Sequence, residues 1–531
     1  MANFSDQKFE VPWPDSKWDL QDYLGQNLEA LDPIRMDCKC HIIFILKPEP
    51  YFVLVGNHAD KMRDAVRRIQ NIDRQVFARQ LEPYTYFLIK SFAPKDLRNE
   101  ILLRRYLGSK SFGSKDGYRE TGVTMHLQGR SLRDDEGNAY NTFAWAVDEL
   151  GPGSILFGNP CADRINALYV NLWTSKPLEY LRYFNGFLQM RASIGSCVFT
   201  SYRKSENNTY QLDFFKEMLE DRNIQQETRL NSYFSQELGN VDLEQKILSR
   251  FLAATDRLIF CSKSVFGIFN LPHPDGKPYD YRLEVELKVN DNDSDIVSQK
   301  WYRLEAGEDN LTKLVDINLL DLHHSELSHN LAISHCHSLL SSDQQEKLPA
   351  PYRSFSSGIS LDCNRARDPK CARKFIKYPA QDNLGHHPTI HIKSLQQKRS
   401  WRFTVKNTLY TIELSTIQTI KFQYAPTFDI VANEQRWSVQ VWHPQWDVHL
   451  SENSRLPIGE CTSWEAKEWF FFPPKGMNDM SDMEGLAYER GSGCAELMRV
   501  LGVVESVIKD DSLDSKNKGG RQAGKLGHAD A

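Results

Sequence analysis

Apolar and polar residues follow two different periods along this chain. Near the N-terminus, apolar residues recur at helical spacing over 18–31 and again over 59–80. Between these segments, 38–46 and 51–55 are short apolar runs, separated by a Lys-Pro-Glu-Pro sequence that suits a turn. The pattern predicts the order helix, strand, strand, helix. It also predicts that the first helix ends before Pro33, because the residue ahead of a proline avoids the α region.

The corner between strand and helix occurs twice in the sequence. An apolar strand, a Gly-Asn corner and a helical pattern stand together at 51–57 (YFVLVGN) and again at 154–159 (SILFGN). A second, more divergent module is therefore expected, with a first strand over 123–127 and a helix over 162–172. The glycine of each corner is predicted to lie where a side chain would crowd the following helix: Gly56 and Gly158.

Further along, the period changes from helical to alternating. Residues 212–255 keep helical spacing, whereas 281–289 alternate strictly between apolar and charged side chains, which predicts a half-buried strand. The alternation returns over 401–405, 410–414 and 437–441. The fold class is predicted as α+β, with tandem strand-strand-helix modules, a helical middle and an antiparallel β-rich C-terminal domain.

Polar segments separate these parts of the chain. Residues 341–385 are polar and contain prolines, which predicts a linker or a long loop, and the charged segment after Lys509 is expected to be disordered. Six segments follow from these boundaries: a first module over 1–90, a divergent second module with insertions over 91–205, a helical region over 206–275, a β-containing region with a long polar loop over 276–400, an antiparallel β-rich domain over 401–508 and a tail over 509–531.

Composition places the chain among multidomain globular proteins. Its 531 residues exceed what one ordinary core accommodates, and a formal net charge of −5 means that any contact with nucleic acid must come from local basic faces. The N-terminus lacks the apolar core of a signal peptide, and no apolar run reaches the roughly 20 residues of a membrane span. The ten cysteines are scattered along the chain, which is typical of proteins whose thiols stay reduced in the cytosol or nucleus. We expect a cytoplasmic or nuclear protein without a membrane partner.

The run from Cys38 to Val55, with the helix that begins at Ala59, resembles the second half of a type I KH domain, an RNA-binding fold in which strand, strand and helix follow a helix pair. The second module shows the resemblance more weakly. It implies RNA binding, for which a KH domain uses a GxxG loop that grips the nucleic-acid backbone. Residues 1–90 contain only Gly25 and Gly56, so that loop is not in place. A degenerate module used for packing or protein contact is the alternative.

The helix predicted over 59–80 is strongly basic and suggests where RNA would bind. Its apolar stripe comprises Met62, Ala65, Val66, Ile69, Ile72, Val76 and Phe77. Arg67 and Arg68 do not belong to this stripe, so both are expected at the surface, and replacing them by glutamate is expected to weaken RNA binding without loss of folding. A solvated helix face of mixed charge is the alternative. The candidate phosphate-contacting residues are Lys61, Arg63, Arg67, Arg68, Arg74, Arg104 and Arg105.

Two further clusters could carry chemistry. The basic run 365–374 (RARDPKCARK) could bind phosphate or serve as an import signal, with a plain surface loop as the alternative. A histidine and cysteine cluster lacks the paired short spacings of structural zinc sites, so no metal is expected there. Its members are His323, His324, His329, His335, Cys336, His337, Cys363, Cys371, His386, His387 and His391.

Enzyme motifs are weak in this sequence. No GxSxG, HExxH or dinucleotide-type GxGxxG is present, and the GxxxxGK match at 519–525 is followed by Leu526 instead of a magnesium-binding hydroxyl residue. No catalytic residue and no cofactor are predicted. The tryptophans between Trp401 and Trp469 could stack on bases or sugars, but core packing is the favoured interpretation.

The leading hypothesis is a non-catalytic protein that binds nucleic acid, with RNA as the ligand, or a scaffold built on KH-like modules. One alternative is an enzyme or a metabolic-pathway accessory protein with a site in the His- and Trp-rich C-terminal half. The other alternative is a protein-interaction adaptor. RNA binding should weaken with salt, whereas an enzyme should show convergent polar groups in the C-terminal half.

Overall fold

The structure is a computed structural model of the full chain. It describes residues 7–13, 24–46, 50–79, 84–90, 100–105, 125–129, 155–158, 163–203, 209–221, 224–230, 243–289, 294–305, 312–321, 327–336, 338–367, 374–379, 390–423, 429–465 and 494–510. The tail expected to be disordered lies outside these residues from 511 onward.

Strands dominate the described part of the chain. In chain order they are β1 Gln7–Pro12, β2 Cys40–Ile45, β3 Tyr51–Gly56, β4 Tyr84–Lys90, β5 Glu100–Arg105, β6 Met125–Gly129, β7 Ile155–Gly158, β8 Phe187–Ser201, β9 Thr209–Gln211, β10 Gln225–Arg229, β11 Leu258–Pro272, β12 Tyr279–Val289, β13 Ser294–Glu305, β14 Thr312–Asp321, β15 Ser328–Cys336, β16 Ser338–Leu339, β17 Ser360–Leu361, β18 Ile376–Lys377, β19 Ser394–Val405, β20 Thr411–Gln423 and β21 Asp429–Trp442.

Helices connect or cover these strands, and short 3₁₀ turns stand at Glu29–Leu31 and Glu452–Arg455. The α-helices are α1 Asp32–Cys38, α2 Ala59–Arg79, α3 Asp163–Leu181, α4 Leu212–Leu219, α5 Leu243–Ala253, α6 Ser342–Glu346, α7 Ala350–Ser357, α8 Cys363–Arg367, α9 Pro444–Ser451 and α10 Ala495–Lys509. The mixture of helices with a mainly antiparallel sheet confirms the α+β class.

The chain forms two compact units built from interleaved segments. Unit 1 consists of Met1–Tyr84, Asn171–Gln189 and Gln445–Gly493, and unit 2 consists of Thr85–Val170, Met190–Pro444 and Cys494–Ala531. Unit 1 contains the three-stranded sheet β1-β3-β2. Unit 2 contains most of a large sheet with the order β16-β13-β12-β11-β19-β20-β21-β8-β15-β14-β4-β7. The six segments predicted from composition stay predictions.

The first module has the predicted order of helix, strand, strand and helix, formed by α1, β2, β3 and α2. β2 and β3 pair in antiparallel register, and α2 follows and packs its apolar stripe on them. A Cβ on Gly56 would lie 2.6 Å from the Met62 sulfur of α2, which agrees with the predicted crowding. The predicted helix end before Pro33 is wrong. Pro33 stands in the first turn of α1, where a missing N–H costs nothing because that group has no partner in the helix.

The second copy of the corner keeps its strand and helix but not its strand pairing. β7 precedes α3, as predicted, and β6 covers most of the expected first strand. However, β7 pairs in parallel with β4, whereas β6 pairs with β5 and β8. The antiparallel pair of the first module is therefore not repeated in the second.

The C-terminal half contains the predicted antiparallel strands, and it also contains helices and short strands where a loop was expected. β19, β20 and β21 form consecutive antiparallel pairs, and the 281–289 alternation corresponds to β12. The prediction that 341–385 is a linker or long loop is wrong for its described part, because α6, α7, β17, α8 and β18 fold there. Buried Tyr352, Phe355 and Phe375 pack against the sheet, so this segment covers apolar surface. No described helix is long and apolar enough to cross a membrane.

Candidate nucleic-acid interface

The polar side of α2 contacts a segment distant in sequence. Pro457, Ile458, Gly459, Glu460 and Cys461, here called the strap, run along this helix within unit 1. Gln75 donates through Nε2 to the carbonyl oxygens of Pro457 at 2.9 Å and Glu460 at 2.8 Å, and accepts from the Gly459 N–H at 2.9 Å. Gly459 has φ +77°, and a Cβ there would lie 2.6 Å from the Arg68 carbonyl oxygen. Only glycine therefore fits this close approach.

Two predicted RNA-contacting arginines are held by carboxylates. Arg68 donates to Asp37 at 2.9 Å and its Nε lies 3.0 Å from the Glu460 carboxylate, with its side chain only 5% exposed. The expectation that Arg68 lies at the surface is wrong, because the strap covers that side of the helix. Arg67 pairs with Asp64 at 2.7 Å and with Glu460 at 3.1 Å. Burial raises the pKa of Asp64, but the hydrogen bond and charge of Arg67 outweigh it, so the net pKa is lowered.

The other predicted cations lie in different surroundings. Arg63 is 74% exposed and reaches Asp60 at 3.3 Å, and Lys61 is half-buried on the same helix. Arg104 and Arg105 belong to β5, but their side chains lie outside the described part. A role of this set in nucleic-acid binding stays a prediction.

Arg74 belongs to a surface that combines cations with aromatic rings in unit 1. The Arg74 Nη1 donates to the Tyr183 hydroxyl at 2.6 Å, and its guanidinium lies 5.2 Å from the centre of that ring. Phe77 and Tyr180 contact each other with ring centroids 5.3 Å apart, and they are 50% and 36% exposed. Lys176 is exposed one helical turn before Tyr180. These five residues are called the Arg74 surface below.

The position of Phe77 corrects the predicted apolar stripe of α2. Met62, Ala65, Ile69, Ile72 and Val76 are buried as predicted. Phe77 was expected to join them but faces Tyr180 at the surface. Helical periodicity alone could not reveal this, since adjacent Val76 and Phe77 both fit the edge of a broad stripe.

The turn before α1 lacks the chemistry of a phosphate-gripping loop. Gly25 and Leu28 both have left-handed backbones, with φ of 83° and 56°, and the Leu28 N–H donates to the Gly25 carbonyl oxygen at 3.1 Å. The Asn27 N–H donates to the Glu29 carboxylate at 2.9 Å. A backbone amide that could face a phosphate is thus occupied by a carboxylate, whose charge would repel a phosphate.

The histidine and cysteine cluster is only partly described. His329 on β15 is buried, with Nε2 3.2 Å from the Glu505 carboxylate of α10, and His335 is half-buried. Across the described ranges, no group of three or more His, Cys, Asp or Glu side chains is arranged to hold a metal ion. The structure does not describe His323, His324, His337, Cys371, His386, His387 and the Cys336 side chain.

The structure describes only the two ends of the basic run, whereas several of the tryptophans are buried. Arg365 donates to the Lys374 carbonyl oxygen at 3.1 Å, and residues 368–373 between them lie outside the described part. Trp401 and Trp437 are buried and stacked, with centroids 6.0 Å apart. Trp446 is fully buried as well. For these tryptophans the core interpretation fits their burial.

Comparisons with known proteins place the chain in one family. No curated protein matches it. Among solved structures, the S. pombe Pct1 RNA triphosphatase is similar with 9% identity over 56% of this chain and 83% of that chain, with a TM-score of 0.26. The same enzyme in complex with the Spt5 CTD has a TM-score of 0.27 at the same identity and coverage. A family model matches residues 163–475, more than half of the chain, and the chain therefore belongs to the family described as a domain of unknown function, DUF7905.

Proposed function

We propose that this chain is a nucleic-acid-binding protein, with single-stranded RNA as its ligand, and that the Arg74 surface of its KH-like first module makes the contact. The observation that carries the proposal is the exposed pair Phe77 and Tyr180 beside Arg74. Proteins that bind single-stranded nucleic acid combine exposed aromatic rings with cations. The rings stack on the bases, and the cations neutralise the phosphate of each nucleotide linkage.

The topology of the first module supports this proposal. β2, β3 and α2 follow α1 in the strand, strand and helix order of the second half of a KH domain. Contact through the Arg74 surface also accounts for a module without a glycine loop, since Glu29 occupies the turn at Gly25 and the strap occupies Arg68. Within the Arg74 surface, the cations that can meet phosphates are Arg74 and Lys176.

The affinity should be dominated by a few contacts. Stacking contributes about 1 to 3 kcal/mol per base, so two rings account for a modest binding free energy. Each phosphate neutralised on a single strand adds about 0.7 to the slope of log K against log salt. We expect weak binding that tolerates many sequences and falls with ionic strength.

Fluorescence anisotropy with a labelled single-stranded RNA and the full chain tests the proposal. Phe77→Ala should weaken binding about 5- to 100-fold, and Arg74→Ala should lower the salt slope by about 0.7. The matched control is Arg63→Ala, which removes a cation from the same helix but away from the aromatic pair, and it should change the affinity less than about twofold.

Two outcomes would contradict the proposal: equal losses for Phe77→Ala and Arg63→Ala, or no binding by the unmodified chain at low salt. The second outcome would favour the protein-adaptor alternative. That alternative has a surface of its own, because β2 is an edge strand of its sheet and Ile43 and Leu46 on this side of the module are exposed.

A further inference from the structure

One face of the large sheet in unit 2 carries polar residues in aligned rows. Directly opposed residues of antiparallel strands share a face, so the strand register decides which side chains are neighbours. The three rows, each running from β19 through β20 to β21, are Lys398, Ile417 and Arg436, then Ser400, Ser415 and Ser438, then Arg402, Glu413 and Gln440.

The middle of this polar face is buried, whereas the cations around it are half-buried. An antiparallel sheet commonly covers its apolar face and leaves the polar one in water. Here the apolar face is covered, as Leu414 and Val439 show by their burial, but on the polar face Glu413 is only 4% exposed and Ser400 and Ser415 are buried as well. Buried polar side chains are more informative than exposed apolar ones, because burying them needs compensation by other polar groups.

Glu413 is compensated by two cations. Lys398 Nζ lies 2.5 Å from Oε1 of its carboxylate, and Arg402 Nε lies 3.4 Å from Oε2. Burial raises the pKa of Glu413, but the charge and hydrogen bond of Lys398 and the charge of Arg402 outweigh it and bring the pKa to about 2. The carboxylate is therefore ionised at neutral pH, and this cluster keeps one positive charge in excess.

A buried serine of β19 shares its face of the sheet with both cations. Lys398 and Arg402 lie two residues on either side of Ser400 on the same face, and both reach the same carboxylate. A hydrogen bond from the Ser400 hydroxyl to Glu413 also lowers the pKa of that carboxyl. A buried hydroxyl therefore lies between the two cations along β19 and shares their carboxylate.

Arg436 adds a third cation to this face. Its Nη1 lies 2.9 Å from the carboxylate of Glu227 on β10, which also accepts from Arg229 Nε at 2.9 Å. Burial raises the pKa of Glu227, and Arg229 and Arg436 lower it below the ordinary value. A second carboxylate is thus held by two arginines, one of which shares a row with Lys398. The region therefore contains several charged hydrogen-bond donors in fixed positions.

We propose that this face, called the Arg402 site, binds a small phosphate-bearing ligand. One cation balances the charge of Glu413, so the second leaves this cluster with one positive charge in excess. Arg402 is 39% exposed, and among the described residues its two terminal nitrogens make no hydrogen bond, so its planar fork is available to a phosphate. The single positive charge in excess in this cluster favours a small ligand over a polyanionic strand, which needs many neutralising contacts.

The proposal does not rest on RNA binding by the Arg74 surface, which belongs to unit 1. The same phosphate chemistry could come from inorganic pyrophosphate or from a nucleoside diphosphate. Titrating both ligands separates these sources. Equal affinity assigns recognition to the phosphates, and tighter binding of the nucleoside diphosphate adds a base or sugar contact to the same site.

Isothermal titration calorimetry of the full chain with sodium pyrophosphate, and in parallel with a nucleoside diphosphate, tests the site at low salt. We expect one ligand per chain, and at least a tenfold loss of affinity on Arg402→Ala, because a charge-assisted contact is removed. The matched control is Lys406→Ala, an exposed cation on the hairpin that follows β19, which should leave the affinity within about twofold. Absence of binding to both ligands, or an equal loss for both variants, would overturn the proposal.

A second variant distinguishes a ligand site from a structural ion pair. Glu413→Gln keeps the size of the side chain and leaves Lys398 and Arg402 without their anion. If the site binds phosphate, pyrophosphate should bind the variant more tightly and raise its melting temperature more than that of the unmodified chain. If the cations serve only to neutralise Glu413, pyrophosphate should leave the melting temperature of both proteins unchanged, and the proposal fails.

Discussion

The Nε atom of Arg68 lies 3.0 Å from the Glu460 carboxylate and so joins α2 to the strap. This relationship changes the meaning of the basic helix. An arginine predicted to meet phosphate is instead buried in an ion pair that holds two distant parts of unit 1 together. A loss of RNA binding after replacing Arg67 and Arg68 by glutamate would report unfolding of the module rather than loss of a phosphate contact.

The burial of Arg68 predicts a large cost on its removal. Arg68→Ala should lower the free energy of unfolding by about 3 kcal/mol, since the change leaves Glu460 without its buried partner. Arg63→Ala, on the exposed side of the same helix, should change it by less than about 0.5 kcal/mol. Urea unfolding of both variants, followed by circular dichroism, measures the difference. Similar midpoints for the two variants would show that the strap contact adds little.

Gly459 is predicted to be intolerant of any side chain. Gly459→Ala should destabilise by about 3 kcal/mol, because its left-handed backbone disfavours a Cβ and that Cβ would meet the Arg68 carbonyl oxygen at 2.6 Å. Gly276→Ala is a matched control, with φ +66° and nothing within 4 Å of the added carbon, and should cost about 1 kcal/mol. Thermal melting curves compare the two. Equal shifts would mean that only backbone strain matters.

The lowered pKa of Glu413 predicts how the free energy of unfolding depends on pH. Its pKa falls from 4.5 to about 2 on folding, so its contribution is complete above pH 4.5 and is lost as the pH falls toward 2. The size of this contribution is roughly 3 kcal/mol. Urea unfolding of the unmodified chain and of Glu413→Gln between pH 7 and pH 3 should therefore converge toward the acid end. A constant difference over that range would contradict the depressed pKa.

The described cysteines should differ in reactivity. Cys261 on β11 is exposed, whereas Cys197 is buried and its pKa is raised well above the ordinary value by burial. Cys38 is buried too, and burial together with Asp64 raises its pKa to about 11. Because the thiolate is the reactive form, Cys261 should react faster than the buried Cys197 and Cys38 with an aromatic disulfide reagent. Cys261→Ser should remove a fast phase, and Cys197→Ser should leave that phase unchanged. The opposite order would contradict the burial pattern.

Local signals in the sequence determined much of the secondary structure. The alternation over 281–289 specified β12, and the stripe from Met62 to Val76 specified the buried side of α2. Gly56 marked the corner between β3 and α2, where Met62 leaves no space for a side chain. These features depend on neighbours within a few residues, or on a period that the chain itself displays, so a single sequence contains them.

Only the tertiary structure decided which polar residues are buried and what they meet. Arg68 and Arg63 belong to the same basic helix, but the strap reaches one and not the other, and its sequence lies far from both. Glu413 looks like any charged residue on the wet side of a strand until the register brings Lys398 and Arg402 to it and its own side chain is buried. The physical reason is the same in both cases: the energy of a charge depends on its distant partners and on the access of water, and neither is encoded in the local pattern.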